Sequence, residues 1–231
     1  MSLVGEYLLA ALISAVASAD RVAFAQLMVS RPIVVAPLIG LVFGEPMVGL
    51  QVGLLLELLW LGRLPVGAAI PPDDTQIAIG ATVAVMILGD LTGLHGMPLV
   101  LLTVLTAIPF GKCGQLFDRL AREANGRLNE RSLVALAGAD TVALERLHLR
   151  GLLHFVLAGL ATSLTIIVCS CLILGFTAPW LLEAMRHGGL GVQYSLVLIG
   201  AAVLLGTINV SRGATLFTAA FAGTLLALWL R

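Results

Sequence analysis

Charge is what this sequence lacks most. Only 11% of its 231 residues are Asp, Glu, Lys or Arg, whereas about a quarter of the residues in soluble domains are charged. A soluble protein of this size needs many more polar side chains to cover its surface. The scarcity of charge therefore excludes an ordinary cytosolic enzyme, a nucleic-acid-binding protein and a disordered chain. The net charge is also zero, so no overall charge attracts the chain to nucleic acid.

The sequence also lacks the spaced reactive side chains of a self-sufficient enzyme. Its three cysteines give no disulfide framework, and we expect them to be buried thiols. Its four histidines share no metal-ligand spacing, and the sequence contains no Gly-rich phosphate loop, no GxSxG and no CxxC. We therefore predict no cofactor, no metal site and no catalytic residue in this chain.

Hydrophobic residues, by contrast, make up 59% of the chain, which predicts an integral membrane protein. A helix needs about 20 apolar residues to cross the hydrocarbon core of a bilayer. The N-terminus carries Glu6 and lacks the basic region of a signal peptide, so we expect it to begin the first membrane-embedded helix. Four uncharged runs approach or exceed the spanning length and predict conventional transmembrane helices: residues 91–111, 151–182, 187–211 and 213–230.

The first half of the chain has a different pattern. Charged residues, glycines and prolines divide it into apolar pieces too short to span, such as residues 32–44, 46–56 and 64–72. Irregular backbone at membrane depth is tolerated only where protein or a cavity surrounds it, and discontinuous helices often surround the substrate site of a transporter. We predict an all-α, polytopic integral membrane protein with discontinuous or re-entrant helices in its N-terminal half.

The charge pattern divides the chain into three parts. Residues 1–111 form the predicted broken-helix core that carries the site, and residues 151–231 form the predicted C-terminal transmembrane helices. Between them, residues 112–150 hold seven of the 13 basic residues and recurring leucines, which predicts a cytoplasmic connector of amphipathic helices. The basic residues of this connector either set the membrane topology or dock a soluble partner.

Glu57 is the acidic residue that most needs an explanation, because leucines flank it on both sides. An acidic side chain at the centre of a membrane helix costs about 2.5–3.5 kcal/mol on insertion scales. Arg63 follows six residues later and would not share its helical face, whereas Arg31 could reach it from another helix. Glu57 is therefore either half of a buried structural pair or a carboxylate that faces a substrate or an ion.

The segment Pro71-Pro72-Asp73 predicts the start of a new helix, because the prolines prevent a helix from running through. Asp73 suits the N-cap of that helix, and Gln76 stands where a capping box would place its second member. Carboxylates and amides at such a helix end also suit sugar hydroxyls, which both donate and accept hydrogen bonds. Asn209, an amide near another helix end, is either a helix–helix hydrogen bond or a second polar wall of the site.

These motifs together resemble one family. The segments Ser30-Arg31-Pro32, Gly44-Glu45, Leu56-Glu57-Leu58 and Pro71-Pro72-Asp73 are similar to the IIC membrane component of mannose/sorbose-class sugar phosphotransferase systems. The strong resemblance covers residues 20–82, and a weaker one continues to the C-terminus.

The resemblance implies a multi-pass permease subunit in the bacterial inner membrane, paired with a IID subunit in a trimer of IIC–IID pairs. A hexose would cross by an elevator-like movement of a core domain. A phosphohistidine on a soluble IIB protein, charged through IIA, would then phosphorylate it. The IIC chain itself would catalyse nothing, and the implied partners are these proteins, the sugar and the lipid bilayer, with no nucleic acid.

The resemblance also implies which residues contact the sugar. Glu57 and Asp73 match the family's acidic residues near the sugar, and Gln26 is a further contributor. Asp74 and Gln76 depart from the small residues that are commoner after the Pro-Asp step, so the sugar's identity stays open. These five residues and Asn209, six in all, form the predicted substrate-binding set.

Two alternatives to a permease subunit remain at this point. In the first, the chain is a regulatory or scaffold subunit of an incomplete system without net transport. In the second, it is an ion-coupled secondary transporter in which Glu57 carries a proton.

Overall fold

The computed structural model describes residues 2–61, 70–187, 194–207 and 213–229, and these residues form eight α-helices. The helices are α1 (Leu3–Val22), α2 (Pro32–Val42), α3 (Pro46–Trp60), α4 (Asp74–Thr92), α5 (Met97–Ala137), α6 (Thr141–His187), α7 (Ser195–Thr207) and α8 (Gly213–Trp229). The predicted all-α membrane fold is confirmed.

Four of these helices are long and apolar enough to cross a membrane: α1, α4, the first part of α5, and α6 as far as Met185. The predicted spans 91–111 and 151–182 lie largely within α5 and α6. The spans provided by α1 and α4 are not among the four that the uncharged runs predict. Glu6 and Asp90 lie inside these two helices near their ends, where they interrupt the uncharged run but not the helix.

The two C-terminal helices fall within the predicted C-terminal runs. In the described residues, α7 has 13 residues and α8 has 17, and α8 follows the predicted run 213–230 almost from end to end. Part of the uncharged run 187–211, which predicted one spanning helix, lies outside the described residues. Helix α7 packs against α3, where Gly200 lies beside Leu58.

The short helices α2 and α3 form the hairpin that the broken pattern predicts. Each begins with a proline at its first position, where the missing N–H costs nothing. Gly44 makes the turn between them with φ +77, a conformation that favours glycine. Glycines on the facing sides let the two backbones touch: a Cβ on Gly53 would lie 2.6 Å from the carbonyl oxygen of Pro32, and one on Gly49 would overlap the carbonyl of Ala36.

Helices α5 and α6 form a second, much longer hairpin that turns at residues 138–140. Residues 112–150, the predicted connector, comprise the C-terminal part of α5, the turn and the first ten residues of α6, and the boundaries at 111 and 150 fall inside continuous helix. Asn125 of α5 joins the two helices, since its side chain donates to the carbonyl of Gly151 at 3.1 Å and contacts Nδ1 of His154 at 2.6 Å.

Helix α4 lies at the centre of the molecule and packs against α1, α5 and α6. Close approaches again involve glycines: a Cβ on Gly80 would lie 2.7 Å from the side chain of Ile166, and one on Gly114 would lie 2.8 Å from Cβ of Asp73. The start of α4 is therefore tightly enclosed, and this end of the helix carries the polar residues of the candidate site.

We predict that Gly49→Ala destabilises the protein by about 1–3 kcal/mol, because the new methyl group overlaps backbone that cannot move aside. Thermal denaturation of the detergent-solubilised chain measures the effect. Gly175→Ala in α6 is the matched control, since a Cβ there meets open space, and it should leave the midpoint unchanged or slightly raised. Equal midpoints for the two variants would contradict the tight packing of the α2–α3 hairpin.

Candidate functional site

The C-terminal end of α1 meets the N-terminal end of α4 through Arg21. Its guanidinium contacts Asp73 Oδ2 at 2.9 Å and Asp74 Oδ1 at 3.5 Å, and it donates to the carbonyl of Pro72 at 3.2 Å. Three groups of the Pro72–Asp74 segment thus share one cation. Charge-assisted contacts of this kind are stronger than neutral hydrogen bonds, so Arg21 fixes the point at which α4 begins.

Asp73 is the N-cap of α4, as the sequence predicts. Its Oδ1 accepts from the backbone N–H of Gln76 at 3.0 Å. The second half of the predicted capping box is wrong, because the backbone N–H of Asp73 faces the carbonyl of Gly111 at 3.5 Å and the Gln76 side chain points to a different helix.

The side chain of Gln76 is fully buried and joins α4 to α1. Its Oε1 accepts from the Ser14 hydroxyl at 2.7 Å, and its Nε2 donates to the Ser18 hydroxyl at 2.8 Å and the Ser14 carbonyl at 3.3 Å. The Ser163 hydroxyl of α6 lies 3.3 Å from that of Ser14. Protein groups therefore satisfy both donors and the acceptor of this amide, which is predicted to bind substrate but in this structure connects helices.

A small hollow borders Asp73 and Arg21 between α1, α4, α5 and α6. Ser18, Asp118 and Thr162 also line it, and it leaves room for about one water molecule. Asp118 is nearly buried and pairs with Arg122 one turn later, at 2.7 Å. The hollow is far smaller than a hexose, and of the predicted residues it contains only Asp73.

Glu57 forms the second arginine–carboxylate pair of the site. The Arg31 guanidinium donates to Glu57 Oε1 through Nε at 2.9 Å and through a second nitrogen, and Oε2 lies 3.4 Å from the backbone N–H of Ile33. Arg31 is the partner that the sequence predicts, whereas Arg63 lies outside the described residues. The Glu57 side chain is 13% exposed and that of Arg31 is 50% exposed, so the pair lies at a surface of the described chain.

The other predicted residues take different positions. Asp74 shares Arg21 with Asp73 and also accepts from its neighbour's N–H, Thr75 N, at 3.0 Å. Gln26 is exposed in the α1–α2 loop, and the hydrogen bond of its side chain is local, to the carbonyl of Val22 at 3.5 Å. Asn209 lies outside the described residues. The structure thus brings Asp73 and Asp74 together on one arginine and places Glu57 on another.

Both pairs are suited to hydroxyl groups. A guanidinium supplies several N–H donors and a carboxylate supplies only acceptors, so each pair offers both functions that a sugar hydroxyl needs. Among the described residues, no group of three His, Cys, Asp or Glu side chains could hold a metal ion. The two arginine–carboxylate pairs offer the donors and acceptors that hydrogen-bonding recognition needs.

The sequence model of the family described as PTS system sorbose-specific IIC component matches residues 4–228. The chain belongs to this family. It is 25% identical over 188 residues to the sorbose-specific EIIC component of Lacticaseibacillus casei, an alignment that covers 78% of this chain and 62% of that protein. It is 25% identical over 122 residues to the mannose-specific EIIC component of Escherichia coli K12, which covers 53% and 43%. The matched region is thus less than two thirds of the length of these relatives.

Solved structures share the fold of this IIC-family chain. One, described only as a membrane protein, superposes with a TM-score of 0.65 at 19% identity and covers 100% of this chain and 92% of its own. Another, the mannose transporter ManYZ in complex with microcin E492, gives a TM-score of 0.57 at 18% identity, with 97% and 90% covered. The chain is therefore a multi-pass membrane protein with the fold of these structures.

Sequence reasoning misses the arginine that organises the site and several of its neighbours. Asp20 and Arg21 interrupt an apolar run, and two opposite charges at the end of a membrane helix are themselves a sign of paired, buried groups. Asp118 falls within the predicted connector, yet its i,i+4 spacing to Arg122 is visible in the sequence.

We predict that Arg21→Ala destabilises this IIC-family chain by about 3–5 kcal/mol, because it leaves the Asp73 carboxylate buried without a cation. The thermal midpoint of the solubilised protein should fall clearly. Arg146→Ala, which removes an exposed arginine from the distal part of α6, should change it little. Similar losses for both variants would show that Arg21 contributes no more than a surface charge.

Proposed function

We propose that this chain is the permease subunit IIC of a mannose/sorbose-class phosphotransferase system in the bacterial inner membrane. It moves a hexose across the membrane for phosphorylation on the cytoplasmic side. The observation that carries the proposal is that Glu57 and Asp73, the two acidic residues expected near the sugar, each stand in an arginine pair beside a broken helix of a chain of this family. Names of relatives that specify sorbose and mannose support a sugar as the substrate class.

The proposed binding step exchanges protein contacts for sugar contacts. In the structure both carboxylates already have a guanidinium partner, so neither is an unpaired charge. A sugar hydroxyl that enters at the Arg31–Glu57 pair accepts from the guanidinium and donates to the carboxylate. Because such a site leaves polar groups unpaired when a hydroxyl is missing, it discriminates strongly against deoxy analogues.

The chain supplies recognition and passage, and other proteins supply the phosphoryl group. We propose a IID subunit as its membrane partner, in a trimer of IIC–IID pairs. A soluble IIB phosphohistidine, recharged by IIA, is the phosphoryl donor. The structural likeness to the mannose transporter ManYZ supports a membrane partner of this kind. Phosphorylation traps the sugar, since the charged product is costly to return through the membrane.

One observation favours a second candidate, the regulatory or scaffold subunit without net flux. Glu57 and Asp73 both have protein partners in this structure, and the hollow beside Asp73 leaves room for about one water molecule. A subunit that only assembles other components needs no larger opening. An assay of transport separates the two candidates.

The decisive assay measures phosphoenolpyruvate-dependent phosphorylation of a panel of hexoses by membranes that contain the chain, a IID subunit and soluble IIA and IIB. We expect at least one hexose to be phosphorylated and retained, with no effect of an uncoupler. No phosphorylation of any hexose by a fully assembled complex would favour the scaffold. Uptake that persists without phosphoenolpyruvate and collapses with an uncoupler would instead indicate ion coupling.

We predict that Glu57→Gln and Asp73→Asn each abolish sugar uptake, with a loss of about 100-fold or more, because each removes a carboxylate that the proposed site offers to a sugar hydroxyl. Glu57→Gln also leaves Arg31 without its carboxylate partner, and Asp73→Asn leaves Arg21 with one carboxylate contact, the longer one to Asp74. Asparagine keeps the cap of α4, since its carbonyl oxygen can still accept from Gln76 N. The assay is radiolabelled uptake at equal amounts of inserted protein.

Asp140→Asn is the matched control for Asp73→Asn. The Asp140 carboxylate accepts from Ala143 N at 2.9 Å at the exposed start of α6. Asp140→Asn therefore changes a helix-capping aspartate in the same way, at a position distant in sequence from the proposed site. It should transport normally. Normal uptake by Glu57→Gln or by Asp73→Asn would remove that residue from the proposed site.

A further inference from the structure

Ser30, the residue before Arg31, lies in the α1–α2 loop, and side chains from two helices bind its backbone N–H and its carbonyl. Asp20 of α1 accepts from the Ser30 N–H at 3.0 Å through Oδ2 and from the Leu27 N–H at 2.6 Å through Oδ1. Thr75 of α4 donates its hydroxyl hydrogen to the Ser30 carbonyl at 2.8 Å. We call Asp20, Ser30 and Thr75 the Ser30 clamp.

The two clamp side chains are buried. Asp20 is 5% exposed and Thr75 is 1% exposed. A buried carboxylate without a cation is costly unless hydrogen bonds satisfy it, and here two backbone N–H groups of the α1–α2 loop do so. The loop therefore satisfies the carboxylate, and the carboxylate fixes the loop.

The loop needs this restraint, because its backbone is strained. Ala25, Gln26 and Met28 all have positive φ, between 53 and 63. Each non-glycine residue in this region costs about 1 kcal/mol or more. Such a conformation persists only where surrounding contacts over-determine it. The clamp provides those contacts at the end of the loop that leads into α2.

The clamp also connects the two arginine pairs. Asp20 is adjacent in sequence to Arg21, and Thr75 follows Asp73 by two residues, so the two helix ends joined by the Arg21–Asp73 pair are the same ends that hold Ser30. Arg31 comes directly after Ser30 and is the N-cap residue of α2. The position of its guanidinium against Glu57 is therefore set from the ends of α1 and α4.

We propose that Asp20 and Thr75 are positioning residues of the sugar site, which act through Ser30 to hold Arg31 against Glu57. Neither residue needs to touch the sugar. The effect on sugar affinity rests on the proposed function, whereas the mechanical coupling of the clamp to the Arg31–Glu57 pair does not.

The first test uses Thr75→Val, which removes the hydroxyl and keeps the shape. We expect the KM for uptake of the transported hexose to rise about five-fold or more, in line with the loss of one buried hydrogen bond. The amount of inserted protein should stay near that of the wild type. Thr75→Ser restores the hydroxyl and should restore the KM.

Thr82→Val is the matched control in the same helix. Thr82 is also fully buried, but its hydroxyl donates to the carbonyl of Ala78 within α4 and takes no part in the clamp. A purely structural role predicts that Thr75→Val and Thr82→Val alike lower the amount of protein and the maximal rate while leaving the KM unchanged. That result would overturn the proposal.

The second test needs no sugar and therefore separates failure of the clamp from failure of the proposed function. In the full chain, solubilised in detergent, we compare the drop in thermal midpoint caused by Glu57→Gln in three backgrounds: wild type, Thr75→Val and Thr82→Val. If the clamp positions Arg31, the drop should be roughly halved in the Thr75→Val background and unchanged in the Thr82→Val background, since only coupled residues are non-additive.

Asp20→Asn gives the same comparison from the other side of the clamp, because an amide can accept from only one of the two N–H groups. Equal drops from Glu57→Gln in all backgrounds would overturn the clamp, whatever the chain transports. Coupling in the midpoints without phosphoenolpyruvate-dependent sugar uptake would support the clamp and overturn the proposed function.

Discussion

The structure depends on one constraint: each of the carboxylates described inside the helical bundle needs a guanidinium or N–H donor within hydrogen-bonding distance. Asp73 and Asp74 find it in Arg21, Glu57 in Arg31, Asp118 in Arg122, and Asp20 in two backbone N–H groups. Breaking any of these contacts leaves a charge without compensation in surroundings that solvate it poorly. The positions of the helix ends follow from these contacts, because three of the four donor arrangements join different segments of the chain.

Two kinds of packing surround these charges. Glycines bring α2 and α3 into backbone contact, and glycines in α4, α5 and α6 make room for side chains of neighbouring helices around α4. The Gln76 amide adds directional bonds to the serines of α1. Close-packed helices with small residues at the contact are typical of membrane proteins, where burial of apolar surface against lipid gives no net drive. The polar pairs and the glycine contacts together specify how these helices fit.

Sequence reasoning predicted features that depend on neighbouring residues, and features in which a charged residue in an apolar segment carries an obvious energetic cost. The expense of Glu57 among leucines led to Arg31, and the Pro-Pro-Asp step led to the N-cap of α4. The prediction failed where a side chain bonds to a residue of another helix that no local sequence pattern indicates. The spacing of Asp73 and Gln76 fits a capping box, but the serines of α1 take the amide instead. The N-terminus begins a membrane-spanning helix, α1, as expected. Counting uncharged residues alone missed the spans of α1 and α4, because acidic residues near a helix end interrupt the count without ending the helix.

The length of the α5–α6 hairpin has a mechanical consequence. At 1.5 Å per residue, α5 is about 60 Å long and α6 about 70 Å, roughly twice the thickness of the hydrocarbon core. From Gly114, where an added Cβ would lie 2.8 Å from Cβ of Asp73, α5 continues to its end at Ala137 without a proline. A force applied at the tip near residue 138 is therefore transmitted along a stiff lever arm to the ion pairs at its base.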